Sequence, residues 1–400
     1  MIVNCNEWQR PQFSEQAELS TKVRDILSDI RSNGDDAISA YAEKFDGNKP
    51  KLIQLKAFDD YELEPELAQA IKLAAERIER FAEFQKQQLQ SANFSDEYGE
   101  YQQKVQPIDR IGAYIPGGRF PLISTALMTL IPAKVAGSKV RIASSPSDNP
   151  ALLAAASLAG ATEFRLLGGI QAIGAFAYGY ADQSAVDLIV GPGNAWVNEA
   201  KNQCQGIVKI DGLAGPSELL ALCDSNQPVD WLAYDALAQA EHDPNACSLI
   251  VSDDLNWLQK LESYLGQSTE GSALVENNQI ALIQAQSVNE MIKFSEHYAP
   301  EHLMLCHDEI SEASLSNYGS LFVGANSAVA LGDYISGPNH TLPTLGFAKQ
   351  TGGLSVNNFM RIMTTQKLND LGRETLSKTA MPLAEAEGLV QHYNSMKVRT

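Results

Sequence analysis

RIGAYI at 110–115, KVRIAS at 139–144, EFRLL at 163–167 and VDLIV at 186–190 are four short β-type runs. Each is followed by a helical run: PLISTALMTLIPAKVAG (121–137), ALLAAASLAG (151–160), QAIGAFAYG (171–179) and AWVNEAKNQC (195–204). Four βα units in series predict a parallel, doubly wound α/β sheet. In such a sheet ligands bind outside the carboxyl ends of the strands. The residues there are Pro116-Gly117-Gly118, Pro146-Ser147-Asp148-Asn149, Gly168-Gly169-Ile170-Gln171 and Gly191-Pro192-Gly193-Asn194. Glycine lets backbone approach a ligand closely, and the helix that follows offers free N–H groups to an anion such as a dinucleotide pyrophosphate. Plain βα turns favour glycine too, and no G-x-G-x-x-G follows any strand, so the loops alone leave both readings open.

Upstream, the chain reads as helical from Glu15 to about Gln90. Val23, Ile26, Leu27 and Ile30 stand at helical spacing, and a second helix is expected from Pro65 to about Lys86. Downstream of Gly212, a strand at Glu218–Cys223, a helix, a strand at Cys247–Val251, further helices and a strand near Ser320–Val323 predict a second α/β unit. From about Asn357 the pattern is polar and helical, with Ala384, Leu389 and Val390 as a sparse apolar stripe suited to an arm that reaches another subunit.

A chain of 400 residues is too long for one ordinary core, and 44% hydrophobic with 20% charged residues is ordinary soluble composition. Lys and Arg total 30 against 49 Asp and Glu; the formal charge of -19 repels nucleic acid and anionic membranes, so neither is an expected partner. The five cysteines are odd in number, scattered, and never in C-x-x-C, which argues against a disulfide framework and a thiolate zinc cluster. MIVNCNEWQRPQF has no basic region followed by an apolar core, and apolar runs such as 151–161 are too short to span a bilayer; a cytoplasmic location is expected.

Polar chemistry concentrates at four places. In PVDWLAYDALAQAEHDP (228–244), Asp230 as N-cap and Pro244 as stop put Gln239 and His242 on one face of a helix's last turn. Neutral imidazole is a common metal ligand, though on Q-x-x-H alone a C-terminal histidine on the helix dipole is the more ordinary arrangement. In YAPEHLML (298–305), Glu301 beside His302 suits acid–base work, while Pro300-Glu301 also reads as a helix start. LGDYISGPNHTLPT (331–344) carries Asp333 and His340 on a glycine- and proline-rich loop, too polar for a core. Near the end, Glu387 and His392 stand five apart, a spacing that does not share a helix face.

In order, IGAYIPGG (111–118), LGGIQAIGAFAYG (167–179), VGPGNAWV (190–197), AGPSELL (214–220), QAEHDP (239–244), APEHL (299–303), GDYISGPNHTLPT (332–344) and EAEGLVQHYNSMKVR (385–399) resemble the histidinol dehydrogenase family across nearly the whole chain. The resemblance implies two Rossmann-like doubly wound domains without the glycine fingerprint, plus helical N- and C-terminal dimerisation segments. On that pattern 1–20 is an N-terminal arm, 21–109 with 216–354 a discontinuous first α/β domain, 110–215 the second, and 355–400 a C-terminal dimerisation tail. It implies a homodimer, with NAD and one zinc ion per subunit as cofactors, acting on a small amino-alcohol. Tyr114, Gln171 and Asn194 match NAD-binding positions; Gln239, His242, Asp333 and His392 match zinc ligands, His392 being supplied by the partner subunit. Ser217, His340 and Glu387, together with the zinc ligands and His302, match substrate contacts, and Glu301 and His302 match the catalytic acid–base pair.

The implied activity is NAD-linked, zinc-dependent, four-electron oxidation of L-histidinol to L-histidine through L-histidinal, a step of histidine biosynthesis. One departure is PGGRFPL (116–122), where Arg119 and Phe120 replace the small residues usual after the double glycine. Arginine prefers carboxylate, phosphate or sulfonate, and a related dehydrogenase of sulfopropanediol resembles this family, so an anionic diol is the alternative substrate. Contact with the NAD pyrophosphate or an acidic surface is the simpler and favoured explanation of Arg119, since charged loop residues are ordinarily solvated. A non-catalytic metal- or nucleotide-binding protein is the alternative of another class.

Overall fold

A computed structural model describes residues 2–10, 16–117, 121–213 and 215–400. Arg119 and Phe120, on which the anionic-diol alternative turns, lie outside the described residues, as do Gly118 and Glu15.

The strands in chain order are β1 (Ile2–Asn4), β2 (Lys51–Ile53), β3 (Ala92–Asp96), β4 (Gly99–Pro107), β5 (Arg110–Tyr114), β6 (Val140–Ser145), β7 (Glu163–Leu166) and β8 (Leu188–Val190). They continue with β9 (Lys209–Ile210), β10 (Glu218–Cys223), β11 (Cys247–Ser252), β12 (Ile280–Gln284), β13 (His302–Cys306), β14 (Ser320–Val323) and β15 (Met360–Leu368). One six-stranded sheet has the order β2-β7-β6-β5-β8-β9, parallel except for β2 at its edge. A second, all parallel, has the order β1-β12-β11-β10-β13-β14. A small antiparallel sheet, β15-β4-β3, stands apart from both.

The four βα units form the first sheet as expected. Its apolar strands are buried because helices cover both faces. Helices Gln16–Asn33, Asp35–Phe45, Gly169–Tyr178 and Ala195–Cys204 pack on one face, and Pro65–Gln87, Ile123–Ala136 and Pro150–Leu158 on the other. Residues 21–109, expected with 216–354, therefore dock on 110–215 instead: Val23, Leu27 and Ile30 meet Ile170, Ile173 and Val197, and β2 pairs with β7. The turn after β8 needs glycine, since Gly191 has φ +112° and a Cβ there would collide with the Tyr114 carbonyl.

The second sheet is covered by Val229–Ala240 and Leu255–Leu265 on one face and Val288–Tyr298 on the other. Two of its strands, β12 and β13, fall where only helices or a helix start are expected. IALIQ is too short to separate strand from helix by periodicity, and Pro300-Glu301 opens β13 rather than a helix. The N-terminal residues are not a free arm. β1 edges this sheet beside β12, and the Trp8 ring packs edge-on against Phe294 and Tyr298. The tail is not helical throughout: β15 pairs with β4 over nine residues before helices Asp370–Ala386 and Val390–Lys397. Asp230 lies in the first turn of its helix, whose N-cap is Pro228.

Candidate active site

In a βαβ unit the helix runs back across the sheet, so its C-terminus reaches the edge where strands begin. Gln239, near the end of helix Val229–Ala240, and His242 just beyond it thus join Ser217, which precedes β10, and Glu301, which precedes β13. The carboxyl ends of the first sheet face this edge. Thr125, in the first turn of the helix that follows β5, has Oγ1 3.3 Å from His340 Nε2, and Asn339 Nδ2 donates to the Met128 carbonyl at 2.6 Å.

Parallel register sets the centre. Leu219 of β10 pairs with His302 of β13, which brings the Glu218 peptide beside the Glu301-His302 pair. The Glu218 N–H donates to Glu301 Oε2 at 2.8 Å. His302 Nδ1 lies 3.1 Å from the Glu218 carbonyl oxygen. A carbonyl only accepts, so Nδ1 carries the hydrogen and Nε2 is left as the basic atom. Nε2 is 3.5 Å from Asp333 Oδ1 and has no hydrogen-bond partner. The Asp333 carbonyl in turn accepts from His340 Nδ1 at 2.8 Å.

Burial pushes the Glu301 carboxyl up to about 8, against the pull of His302 and the Glu218 N–H, with the Glu218 and Asp333 carboxylates adding to the rise. Burial alone would lower His302, but Glu301 and Asp333 outweigh it and hold the imidazolium to about 9. Burial also opposes ionisation of Asp333, yet the facing His302 imidazolium, with His340 and His242 behind it, keeps its carboxyl below the usual range. Burial depresses His340 despite Asp333. Two proton-holding groups thus sit against a carboxylate that stays ionised, a division of environments typical of acid–base sites.

Glu301, His302, Asp333 and His340 are in direct contact, and His242 acts electrostatically on Asp333 and His340. Gln239 is buried with its side-chain nitrogen unpartnered. Ser217 adjoins Glu218, and its carbonyl accepts from the Cys247 N–H at 3.0 Å. Glu387, which caps helix Asp370–Ala386, and His392 on helix Val390–Lys397 are exposed, and the two helices pack on each other. Among the described residues no three His, Cys, Asp or Glu side chains are arranged to hold a metal ion.

At the first sheet, the Tyr114 hydroxyl accepts from the Gly169 N–H at 3.3 Å, and burial pushes its pKa up to about 12. Gln171 Nε2 donates to Asp46 Oδ2 at 3.0 Å, and the Gly168 N–H donates to the same oxygen at 2.9 Å. Asn194 Oδ1 caps the following helix through the Trp196 and Val197 N–H groups. Two residues to which the motif reading gave no role stand out, Asp46 and Glu218. Asp46 carries no local signal, but Glu218 does: it is a carboxylate at the head of ELLALC, an otherwise apolar and fully buried run.

Two facing α/β layers with a buried carboxylate–imidazole pair between them have the frame of a dehydrogenase. The family model described as histidinol dehydrogenase matches residues 9–400. The chain is 41% identical to a histidinol dehydrogenase of Natronomonas pharaonis over 94% of its length and 92% of that protein's, and 39% identical to histidinol dehydrogenase 1 of Trichormus variabilis over 96% and 92%. A crystal structure of histidinol dehydrogenase from Elizabethkingia anophelis superposes with a TM-score of 0.87 at 36% identity, covering 98% of this chain and 94% of that one. The chain belongs to the histidinol dehydrogenase family and is an NAD-dependent oxidoreductase. A non-catalytic role is thereby set aside, and the anionic-diol alternative is not favoured. No helix among the described residues is long and apolar enough to cross a membrane.

Proposed function

We propose that this chain oxidises L-histidinol to L-histidine through L-histidinal, reducing two NAD and consuming one water. The observation that carries this reading is the buried Glu301-His302 pair, held by the main chain of one residue, Glu218, and facing Asp333. His302 Nε2 accepts the hydroxyl proton as the first hydride leaves the carbinol carbon, giving the aldehyde. Glu301 then takes a proton from the water that adds to the aldehyde carbon, and the second hydride leaves that hydrated carbon to give the carboxylate. The balance is R–CH2OH + H2O + 2 NAD+ → R–COO− + 2 NADH + 3 H+.

NAD is the hydride acceptor of both steps; Tyr114, Gln171 and Asn194 would lie along it at the carboxyl ends of the first sheet. Zinc fits the donor chemistry of Gln239, His242 and Asp333, which join amide oxygen, imidazole and carboxylate. The unpartnered buried Gln239 Nε2, a hydrogen-bond donor, and His302 Nε2 support a polar substrate group held here. When bound, the ion would orient the substrate's imidazole and amine. Ser217, His340 and Glu387 complete the substrate contacts in this reading, with His392 and Glu387 arriving from the partner subunit of a homodimer. Exposed Leu371, Leu383, Leu389 and Val390 on the tail support burial against such a partner.

The test is NADH formation by purified protein. Two NADH per histidinol, with histidine as product, is expected; dihydroxypropanesulfonate oxidised while histidinol stays inert would overturn the reading. Metal content gives a separate check: about one zinc per chain is expected, lost in Asp333→Ala and His242→Ala but retained in Glu301→Gln.

A further inference from the structure

Arg10 and Glu218 are 208 residues apart in sequence, and neither is assigned a role in the site by the motifs. Arg10 Nη2 donates to the Tyr298 carbonyl at 2.7 Å and to Glu218 Oε2 at 3.3 Å, while Nε lies 3.3 Å from Glu218 Oε1. The guanidinium carbon sits 4.0 Å from the centroid of the Tyr298 ring, so the same group is bonded, paired and stacked at once. Behind it, the Trp8 ring seats the N-terminal segment on Phe294 and Tyr298.

Both partners of Arg10 lead directly into the acid–base pair. Tyr298 ends a helix and is followed by Ala299 at φ +50°, Pro300 and Glu301. A positive φ at alanine is strained, and such a turn persists only where its surroundings hold it. On the other side, the side chain of Glu218 is nearly fully buried, and its main chain touches both working residues: the N–H binds Glu301 Oε2 and the carbonyl binds His302 Nδ1.

We propose that Arg10 and Glu218 are positioning residues: the arginine fork clamps the two segments that open β10 and β13, and the Glu218 peptide fixes Glu301 and the tautomer of His302. Without Arg10 a buried carboxylate loses its counter-charge beside Glu301, and the Tyr298 carbonyl loses a donor. The Glu218 peptide is then free to shift, and with it the atoms that accept protons. The clamp lies away from the expected NAD contacts Tyr114, Gln171 and Asn194, so binding of NAD is unaffected. The inference rests on Glu301 and His302 being the acid–base pair.

The experiment compares Arg10→Met, Arg10→Lys, Glu301→Gln and His302→Asn as full-length, zinc-loaded proteins with histidinol and NAD. Rates are expressed per folded molecule from circular dichroism. Arg10→Met is expected to lower kcat about 100-fold while KM for NAD stays within about twofold, the signature of misplaced reacting groups. Arg10→Lys keeps the charge without the fork and should recover only part of kcat. Wild-type kcat per folded molecule in Arg10→Met overturns the clamp. Should that variant fail to fold, wild-type kcat in Arg10→Lys overturns it. Full activity in Glu301→Gln and His302→Asn defeats the acid–base assignment itself, whereas loss in both with intact Arg10 variants defeats only the clamp.

Discussion

His302 is bound at one ring nitrogen by a carbonyl and opposed at the other by a carboxylate, so its proton affinity and its geometry are set by the same neighbours. Both it and Glu301 hold protons above neutrality, at about 9 and about 8. Each must lose that proton before it acts as a base, so kcat/KM should climb from pH 7 toward pH 9 and fall away on the acid side. A profile flat from pH 6 to pH 9 would contradict these roles. The two are separable by substrate. His302→Asn should slow oxidation of histidinol by a factor of about 100 or more, whereas Glu301→Gln should do so with histidinal, where water must be activated. Normal histidinal oxidation by Glu301→Gln removes it from the water step. The adjacency of Glu301 and His302 was legible in the chain. The identity of the basic nitrogen was not, because it depends on Glu218, which reaches them through the pairing of two strands rather than through sequence proximity.

Elements are where local pattern and long-range packing part company. The four βα units were readable because apolar strand and helical run alternate without ambiguity over residues 110–204. β15 was not, since its nine residues are almost all exposed and its alternation of apolar Met360 and Ile362 breaks off at Thr364 and Gln366; only its pairing with β4 defines it. Asn194 shows how one side chain can be claimed by both readings of a turn. Its oxygen caps helix Ala195–Cys204, and the same residue matches an NAD position. Asn194→Ala should cost about 1 kcal/mol of stability through the lost cap. Asn194→Asp keeps a capping oxygen, and so should keep Tm while raising KM for NAD, by placing a negative charge near the cofactor phosphates. Unchanged KM for NAD in both variants would leave Asn194 a cap and nothing more.

At the scale of the molecule, residues 21–109 were expected with 216–354 but dock on 110–215, because a helix's apolar stripe says that it docks, not on which sheet. Val23, Leu27 and Ile30 would have suited either layer. The tail poses the converse problem. Its helices pack on one another and leave Leu383 and Val390 mostly exposed, with Glu387 and His392 exposed as well. A dimer in which each tail completes the other subunit's site makes a prediction that a tail acting on its own subunit does not. With histidinal as substrate, Glu301→Gln and His392→Asn proteins should each be nearly inactive alone. In a hybrid dimer, one site combines both defects, while the other has intact Glu301 from one chain and intact His392 from its partner. Dissociating and reassembling an equal mixture yields about half hybrids, each with one working site, so about a quarter of wild-type activity should return. If His392 serves its own chain, every site in the mixture keeps one defect and no activity appears.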